Sequence, residues 1–588
     1  AALAFVPSIG LWLVPSLALA IPAVFMMKLM LQPLRSRMRA LLQTEIKNDP
    51  KAAPHADDIY SLMTFVEVLA AGAGGLAFAW LFHHSVAGSA LALTLGALAP
   101  MKIITITLFA MGFVYLGGLR WVKQQLSKPT QTVHKSPEGN EAKMLERLNI
   151  SLKENGLPEY TAAVAGGEAS EDLPTVVILA PSSRHKIALV REGGKQAPGL
   201  VNLVLDSSWL IQETYPDGRT KLLVTKGVVF DEKGQATVMT YQAPRRVHYF
   251  ADYFTLGAND RDDGVVFERN LDVPQSNSLQ LENVVNDKLG TRLILAAGGV
   301  AVPATLALLM PLHHLAGRPM QTQGTVQVAA MPAAESRESA VGKLVDDYLA
   351  KFEGNELVVK PSGPQFHSGR GVKFFKKSER DAIVAHALAL AVDAQMTEDG
   401  AVLLDERVNS APLDRGGRKM ETTGRILVAR TPGGGTATTG MFARVGPWGK
   451  PTTAEAADPR DNATVEPMER LFAEWKKAGL IDERGARELN AQMRRTGENA
   501  LTAIAEYEKT FARKDGEPYQ AQSDMIGLDV MIERRGGKLV PVIIEVNDHD
   551  SGGQYNLDQM HPEKSGEHSR EWVATMVQRA RRDALKGK

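Results

Sequence analysis

The residues of this 588-residue chain best placed to do chemistry stand near its end, in two apolar runs, Ile526-Gly-Leu-Asp529-Val-Met-Ile and Val540-Pro-Val-Ile-Ile-Glu545-Val-Asn547. The Arg-Arg-Gly-Gly-Lys between them has the turn chemistry of a hairpin. Side chains alternate along a strand, so Glu545 and Asn547 share a face. A three-residue loop at 536–538 sets Asp529 opposite Glu545 and pointing the same way. A two-residue turn misses by one, unless a bulge intervenes. Two carboxylates and an amide oxygen converging among apolar neighbours are costly without a compensating cation, and an all-oxygen set suits Mg2+ or Mn2+ shared with phosphate. A plain hairpin with solvated charges shows the same alternation, although acids are depleted in such strands.

Further upstream, Glu356-Leu-Val-Val-Lys360-Pro361 reads as an apolar strand ending in lysine, followed by the loop SGPQFHSGRG from Ser362 to Gly371. A lysine so placed either snorkels to water or is held against an anion. Gly363, Gly369 and Gly371, with two serines, let backbone N–H groups approach phosphate oxygens, and Arg370 and His367 add donors. This is not the Walker loop, which needs Gly-Lys-Ser/Thr opening a helix, because here a strand follows from Val372.

Two more segments complete an ordered set. Asn286-Asp287-Lys288 leads into DKLGTRLILAAGGVAVPATLAL, which reads as a helix, a glycine stop and a short strand entered through proline rather than as a membrane span. Ala401-Val-Leu-Leu-Asp405-Glu406-Arg407-Val408 is another apolar strand with charges at its end. Across residues 275–557 these segments, in this order, resemble the ATP-grasp superfamily of carboxylate–amine ligase type. The resemblance implies that Lys288, Lys360, Ser362, Gly363, His367, Gly369, Arg370 and Gly371 hold the phosphates of ATP. It also implies that the strand through Asp405, Glu406, Arg407 and Val408 reads the adenine. Asp405 stands where the family often has glutamate, Val408 would cover the ring, and Asp414 would reach the ribose from a spacing that departs from the commonest pattern. Asp529, Glu545 and Asn547 correspond to the family's metal-binding acid and Glu-x-Asn, implying Mg2+ or Mn2+. Many of these ligases carry an arginine two residues before the first metal acid, where this chain has Gly527. Arg430 in ARTPGGG and Arg444 in FARVG are then the candidates to steady an acyl phosphate.

The elements that must position these residues divide the chain. The expected fold class is α/β (α+β): an ATP-grasp domain over 283–588, preceded by a small α/β domain over 173–282 with strands expected at 175–180, 200–205 and 221–230. The polar stretch 126–172, with a charged helical patch near 141–154 and a Gly/Ala/Glu-rich stretch after it, reads as a linker. Ahead of it, within 1–125, the apolar runs 3–31, 60–82 and 86–119 are each long enough to span a bilayer. Arg35, Arg37, Arg39, Lys47 and Lys51 crowd the first connection, and Arg120 and Lys123 follow the third run. The positive-inside rule then puts everything after Arg120 in the cytoplasm, on a multi-pass membrane protein.

Lys plus Arg and Asp plus Glu both number 67, which gives no electrostatic reason to expect a nucleic-acid partner. The absence of cysteine excludes disulfides, thiolate metal sites and a cysteine nucleophile. The activity that the resemblance implies is ATP-dependent joining of a small carboxylate to a small amine through an acyl phosphate. A thiol, bicarbonate or polymer acceptor, and a non-catalytic nucleotide-binding membrane sensor, are the alternatives. Nothing in the sequence bears on oligomeric state.

Overall fold

The computed structural model describes residues 129–586, outside internal segments that include 253–271, 277–286, 363–370, 511–522 and 549–552. The apolar runs at 3–31, 60–82 and 86–119 lie outside the described residues. No helix among the described residues is long and apolar enough to cross a membrane.

The stretch expected to be a linker carries structure: β1 (Thr130–Val133), α1 (Asn140–Glu154) and β2 (Thr161–Ala165). The charged helical patch expected near 141–154 is α1, and it is no free-standing linker helix, because its apolar stripe buries Leu148 and Leu152, with Met144 and Leu145 packed against the same core. There follow β3 (Val176–Leu179), α2 (Ile187–Gln196), β4 (Val201–Val204), β5 (Leu210–Thr214), β6 (Thr220–Phe230), β7 (Ala236–Arg246), β8 (Tyr249–Asp252) and β9 (Gln275–Ser276). They form one sheet in the order β1-β5-β6-β4-β3-β8-β9, with β7 on β6 and β2 on β7. β3 is buried along its whole length between parallel neighbours, as its unbroken Val-Val-Ile-Leu requires.

A second sheet begins beyond α3 (Lys288–Ala297) with β10 (Thr305–Leu309). The helix, glycine stop and strand expected here are all present. Gly299 has a φ of 71°, and the Gly299 and Val300 N–H groups close on the Ala296 and Leu295 carbonyls, so the helix ends where only glycine adopts the turn cheaply. β11 (His314–Leu315) and β12 (Arg318–Pro319) make a small pair. β13 (Val326–Ala330), α4 (Arg337–Lys351), β14 (Glu356–Ser362), β15 (Lys373–Lys376), α5 (Arg380–Ala391) and β16 (Ala401–Glu406) complete a sheet in the order β13-β10-β16-β14-β15. Val341 and Val345 of α4 and Ile383 and Ala387 of α5 pack with Leu357, Val359, Val402 and Leu404 on one face, while Ala307, Ala401 and Leu403 join a second core on the other.

The third sheet is antiparallel. β17 (Leu413–Arg415), β18 (Arg418–Arg430), β19 (Thr436–Pro447), β20 (Thr464–Pro467), β21 (Met525–Arg535) and β22 (Lys538–Asp548) run in the order β20-β19-β18-β21-β22, with β17 on β18. Helices α6 (Met468–Lys477) and α7 (Glu483–Glu508) bury Trp475, Met493 and Ile504 in one core with Ile426, Val428 and Leu528. After α8 (Gly553–Met560), helix α9 (Arg570–Lys586) returns to the first sheet and buries Trp572, Val573 and Met576 in its core.

Candidate functional site

The acids come together in the expected register by an unexpected route. Asp529 pairs with Glu545 and Gly527 with Asn547, yet the hairpin closes with Arg535 opposite Lys538, a two-residue turn. The missing residue is made up by a bulge. Val530 pairs with Ile543, so Ile544 has no cross-strand partner. On the other side of β21, Arg425 of β18 faces Asp529, so Arg425, Asp529 and Glu545 form one row across three strands. Arg425 is buried and clasps the carboxylate with both ends, Nε to Oδ1 at 2.6 Å and Nη2 to Oδ2 at 3.0 Å. Arg444 of β19 stands 3.7 Å from Oδ2, and Asn547 donates to the same oxygen at 3.4 Å.

The cationic half comes from the second sheet and α3. β16 is an inner strand between β10 and β14, and Asp405 on it is 2% exposed, so the strand is not a solvated edge. Lys360 Nζ lies 2.9 Å from Asp405 Oδ2. Arg292 of α3 reaches Asp405 Oδ1, and Thr305 Oγ1 donates to that same oxygen at 2.8 Å. Lys288, at the start of the helix, places its Nζ 3.2 Å from Glu545 Oε1 on the third sheet. Helix α3 thus joins the two sheets, helped by the Ile543 N–H donating to the Ala301 carbonyl at 3.0 Å.

Proximity of these charges decides their protonation. Burial alone would raise the half-buried Glu545, but Lys288, Lys360 and Arg425 hold it down at about 2. Burial likewise pushes Asp405 up, and Arg292 and Lys360 outweigh it, leaving the carboxyl below its ordinary value. Burial and then the Arg292 charge pull Lys360 down to about 8, against the opposing pull of Asp405. Both carboxylates are ionised at neutral pH, and Lys360, through burial first and the Arg292 charge second, gives up its proton more readily than an ordinary lysine.

The remaining candidates separate. Gly363, His367, Gly369 and Arg370 lie outside the described residues. Gly371, where the loop rejoins the fold, has a φ of 73° and packs so closely on Pro361 and Leu390 that a Cβ would meet them at 3.0 and 3.1 Å. The Ser362 hydroxyl is buried at the start of α3, where it bonds Asp287 and accepts from the Leu289 N–H, so it caps the helix beside Lys288. Glu406 is half-buried and its carboxyl is raised by burial and by Glu533. The Arg407 side chain pairs with Glu356 and Glu421 at 2.7 Å each and stacks over Phe374 and Trp448, leaving its backbone and the buried Val408 to form the end of the strand. Asp414 is exposed and accepts from the Gly417 N–H in its own turn.

Arg430 does not join the site. It belongs to a separate buried cluster, donating to the Ser523 carbonyl at 2.8 Å and to Glu508 at 3.2 Å, with Asp524 and Arg579 beside it. The arginines that do meet the site's carboxylates are Arg444, Arg425 and Arg292, and sequence reasoning missed the last two. Their signal was a lone arginine inside an apolar run, Thr422-Thr-Gly-Arg-Ile-Leu-Val-Ala for one and Thr291-Arg-Leu-Ile-Leu for the other. Such a charge is affordable only with a partner built for it.

Among the described residues no three His, Cys, Asp or Glu side chains gather as a self-sufficient metal cage. Two carboxylates and an amide oxygen are nevertheless the donor set for a Mg2+ or Mn2+ that completes its shell on phosphate, and Asp529, Glu545 and Asn547 fit that use.

A five-stranded and an antiparallel six-stranded sheet, joined by one helix over a polar site and preceded by a further α/β sheet, make a mixed α/β fold. The sequence is similar to carnosine synthase 1 of Homo sapiens, 27% identical over 356 residues, covering 59% of this chain and 42% of that protein. It is 26% identical to carnosine synthase 1 of Gallus gallus over 458 residues, covering 73% of this chain and 46% of that protein. The chain spans less than half the length of these curated relatives. Among solved structures, D-alanine–D-alanine ligase from Bacillus anthracis aligns over 70% of this chain and 99% of its own, at 13% identity and a TM-score of 0.34, too distant a likeness to build on. No family model matches the chain.

Proposed function

We propose that the chain is an ATP-dependent carboxylate–amine ligase that forms an amide through an acyl phosphate. The observation that carries this reading is a convergence of cations: among the described residues Lys288, Arg292, Lys360, Arg425 and Arg444 meet Asp405, Asp529 and Glu545 in one cluster of ion pairs. Lysine and arginine heads brought together from a helix and two sheets are the groups that bind a polyphosphate and stabilise charge developing on it.

In this reading Lys288 and Lys360 bind the phosphates, and the backbone after Asp405 meets the base. Mg2+ or Mn2+, held by Asp529, Glu545 and Asn547, would draw charge from the phosphates when bound. The substrate carboxylate attacks the γ-phosphorus in line, the bond to ADP breaks, and an acyl phosphate results. An amine then adds to the acyl carbon, gives up a proton to solvent, and phosphate leaves with the electron pair of the broken C–O bond. Arg444 is the candidate to steady the acyl phosphate from the acid row. The relatives are named for synthesis of carnosine, which supports small-molecule substrates over a polymer end. The test is product analysis with ATP, Mg2+ and amino-acid mixtures. ADP, phosphate and a new amide in equal amounts are expected, and AMP, or turnover without phosphate release, would sink the acyl-phosphate route.

The same proposal includes a membrane tether. The apolar runs at 3–31, 60–82 and 86–119 and the basic residues between them support three spans with the rest of the chain cytoplasmic. Deleting residues 1–125 is expected to move the protein from the membrane fraction to the soluble one with ATP turnover retained. A tag after Lys588 that is reachable from outside sealed cells would exclude this topology.

A further inference from the structure

Arg292 lies one turn after Lys288 on α3, 2% exposed, in the middle of an apolar helix. Through Nη1 it donates to Asp405 and, at 2.8 Å, to Thr305 Oγ1, both on the second sheet. Through Nη2 it donates at 3.2 Å to the carbonyl of Ile544 on the third. Ile544 is the bulged residue, the one that brings Glu545 level with Asp529. A bulge disrupts the ladder locally, so an outside donor to its carbonyl helps to pin it. One planar guanidinium therefore touches the partner of Lys360 and the irregularity that positions Glu545.

We propose that Arg292 is a positioning residue for both halves of the site, keeping Asp405 ionised so that Lys360 is aimed and pinning the Ile544 bulge so that Glu545 stays in register with Asp529. Its consequence for turnover rests on the proposed nucleotide site; its effect on the bulge does not. The fork geometry is essential, because an ammonium offers one compact head that does not reach Asp405 and the Ile544 carbonyl together. The charged groups acting on Lys360 are Asp405 on the neighbouring strand and Arg292 and Lys288 on α3, and Glu545 of β22 also senses its charge.

The experiment uses the full chain with Arg292→Lys and Arg292→Gln. Thermal unfolding identifies the folded variants, and hydrogen–deuterium exchange without nucleotide then follows the segment 543–547. Both variants are expected to exchange there about tenfold faster or more, with 176–204 in the first sheet unchanged. Steady-state kinetics follow. Arg292→Lys keeps a charge beside Asp405 and loses the bulge contact, so kcat is expected to fall by more than KM for ATP rises. In Arg292→Gln the loss of a neighbouring cation raises the pKa of Lys360, so the alkaline decline of ATP binding, near pH 8 in the parent protein, moves to higher pH. Loss of packing alone weakens binding without moving that limb. Parental exchange across 543–547 in the folded variants, or an unmoved alkaline limb in Arg292→Gln, overturns the proposal. If Arg292→Gln does not fold, the exchange and the kcat-against-KM split of Arg292→Lys decide. If the parent protein binds no ATP, the ligase reading fails, and the exchange result alone decides whether Arg292 positions the bulge.

Discussion

Lys360→Ala is expected to weaken ATP binding on the order of a hundredfold, as the loss of one partner from a desolvated charge contact does. The protein should still fold, because the Asp405 carboxylate left behind keeps Arg292 and Thr305 Oγ1 as partners and is not orphaned in the core. Turnover at saturating ATP should fall less than affinity, since the acid row of Asp529 and Glu545 is untouched. The parent protein adds a pH signature. Burial and the Arg292 charge bring Lys360 down to about 8, so its charge is present below that pH and is lost as pH rises through it. ATP affinity should therefore decline above about pH 8 in the parent, and this limb should be absent from Lys360→Ala. Calorimetric titrations from about pH 6.5 to 9.5 measure both. Equal affinity in the two proteins would remove Lys360 from the phosphate site.

How much of this was legible in the sequence follows from which signals are local. Period-two alternation and a glycine turn put Asp529, Glu545 and Asn547 on one hairpin, and the helix, glycine stop and proline-led strand over 288–309 are equally local. The bulge is not, because no residue type marks Ile544 as the extra one; the register was open to two turn lengths, and the structure takes the shorter with the bulge. Arg292 and Arg425 escaped notice for a related reason. A lone arginine in an apolar run acquires meaning only when tertiary contacts bring Asp405 or Asp529 to it, and those acids are 113 and 104 residues away in sequence. Arg430 and Arg444 looked equivalent as basic residues on strands, yet only Arg444 ends on the row of acids. The charged helical patch near 141–154 was legible and is α1, whereas its burial of Leu148 and Leu152 in a core was not, because the polar composition around it suggested a linker.

Glu545→Gln separates chemistry from binding most sharply. Glutamine preserves size and gives Lys288 an amide oxygen in place of the carboxylate, and Asp529 keeps its bidentate Arg425, so the hairpin has no new unpaired charge to accommodate. What is lost is a full negative charge: Lys288, Lys360 and Arg425 hold Glu545 near 2, so it is ionised at every pH where the protein would be assayed. Removing it takes away one of two carboxylates proposed to hold the metal, and turnover should fall on the order of a hundredfold or more, the scale of losing one preorganised electrostatic group. ATP binding should respond in the gentler direction. Lys288 and Lys360 remain, and the site becomes more positive by one charge, which favours a polyphosphate even as metal affinity drops. The expected pattern is thus a steep loss of kcat with a small change in nucleotide Kd, partly relieved at high Mg2+. Full activity at limiting Mg2+ would make the Asp529, Glu545 and Asn547 row a structural ion pair at a sheet surface and leave the ligase reading without its metal site.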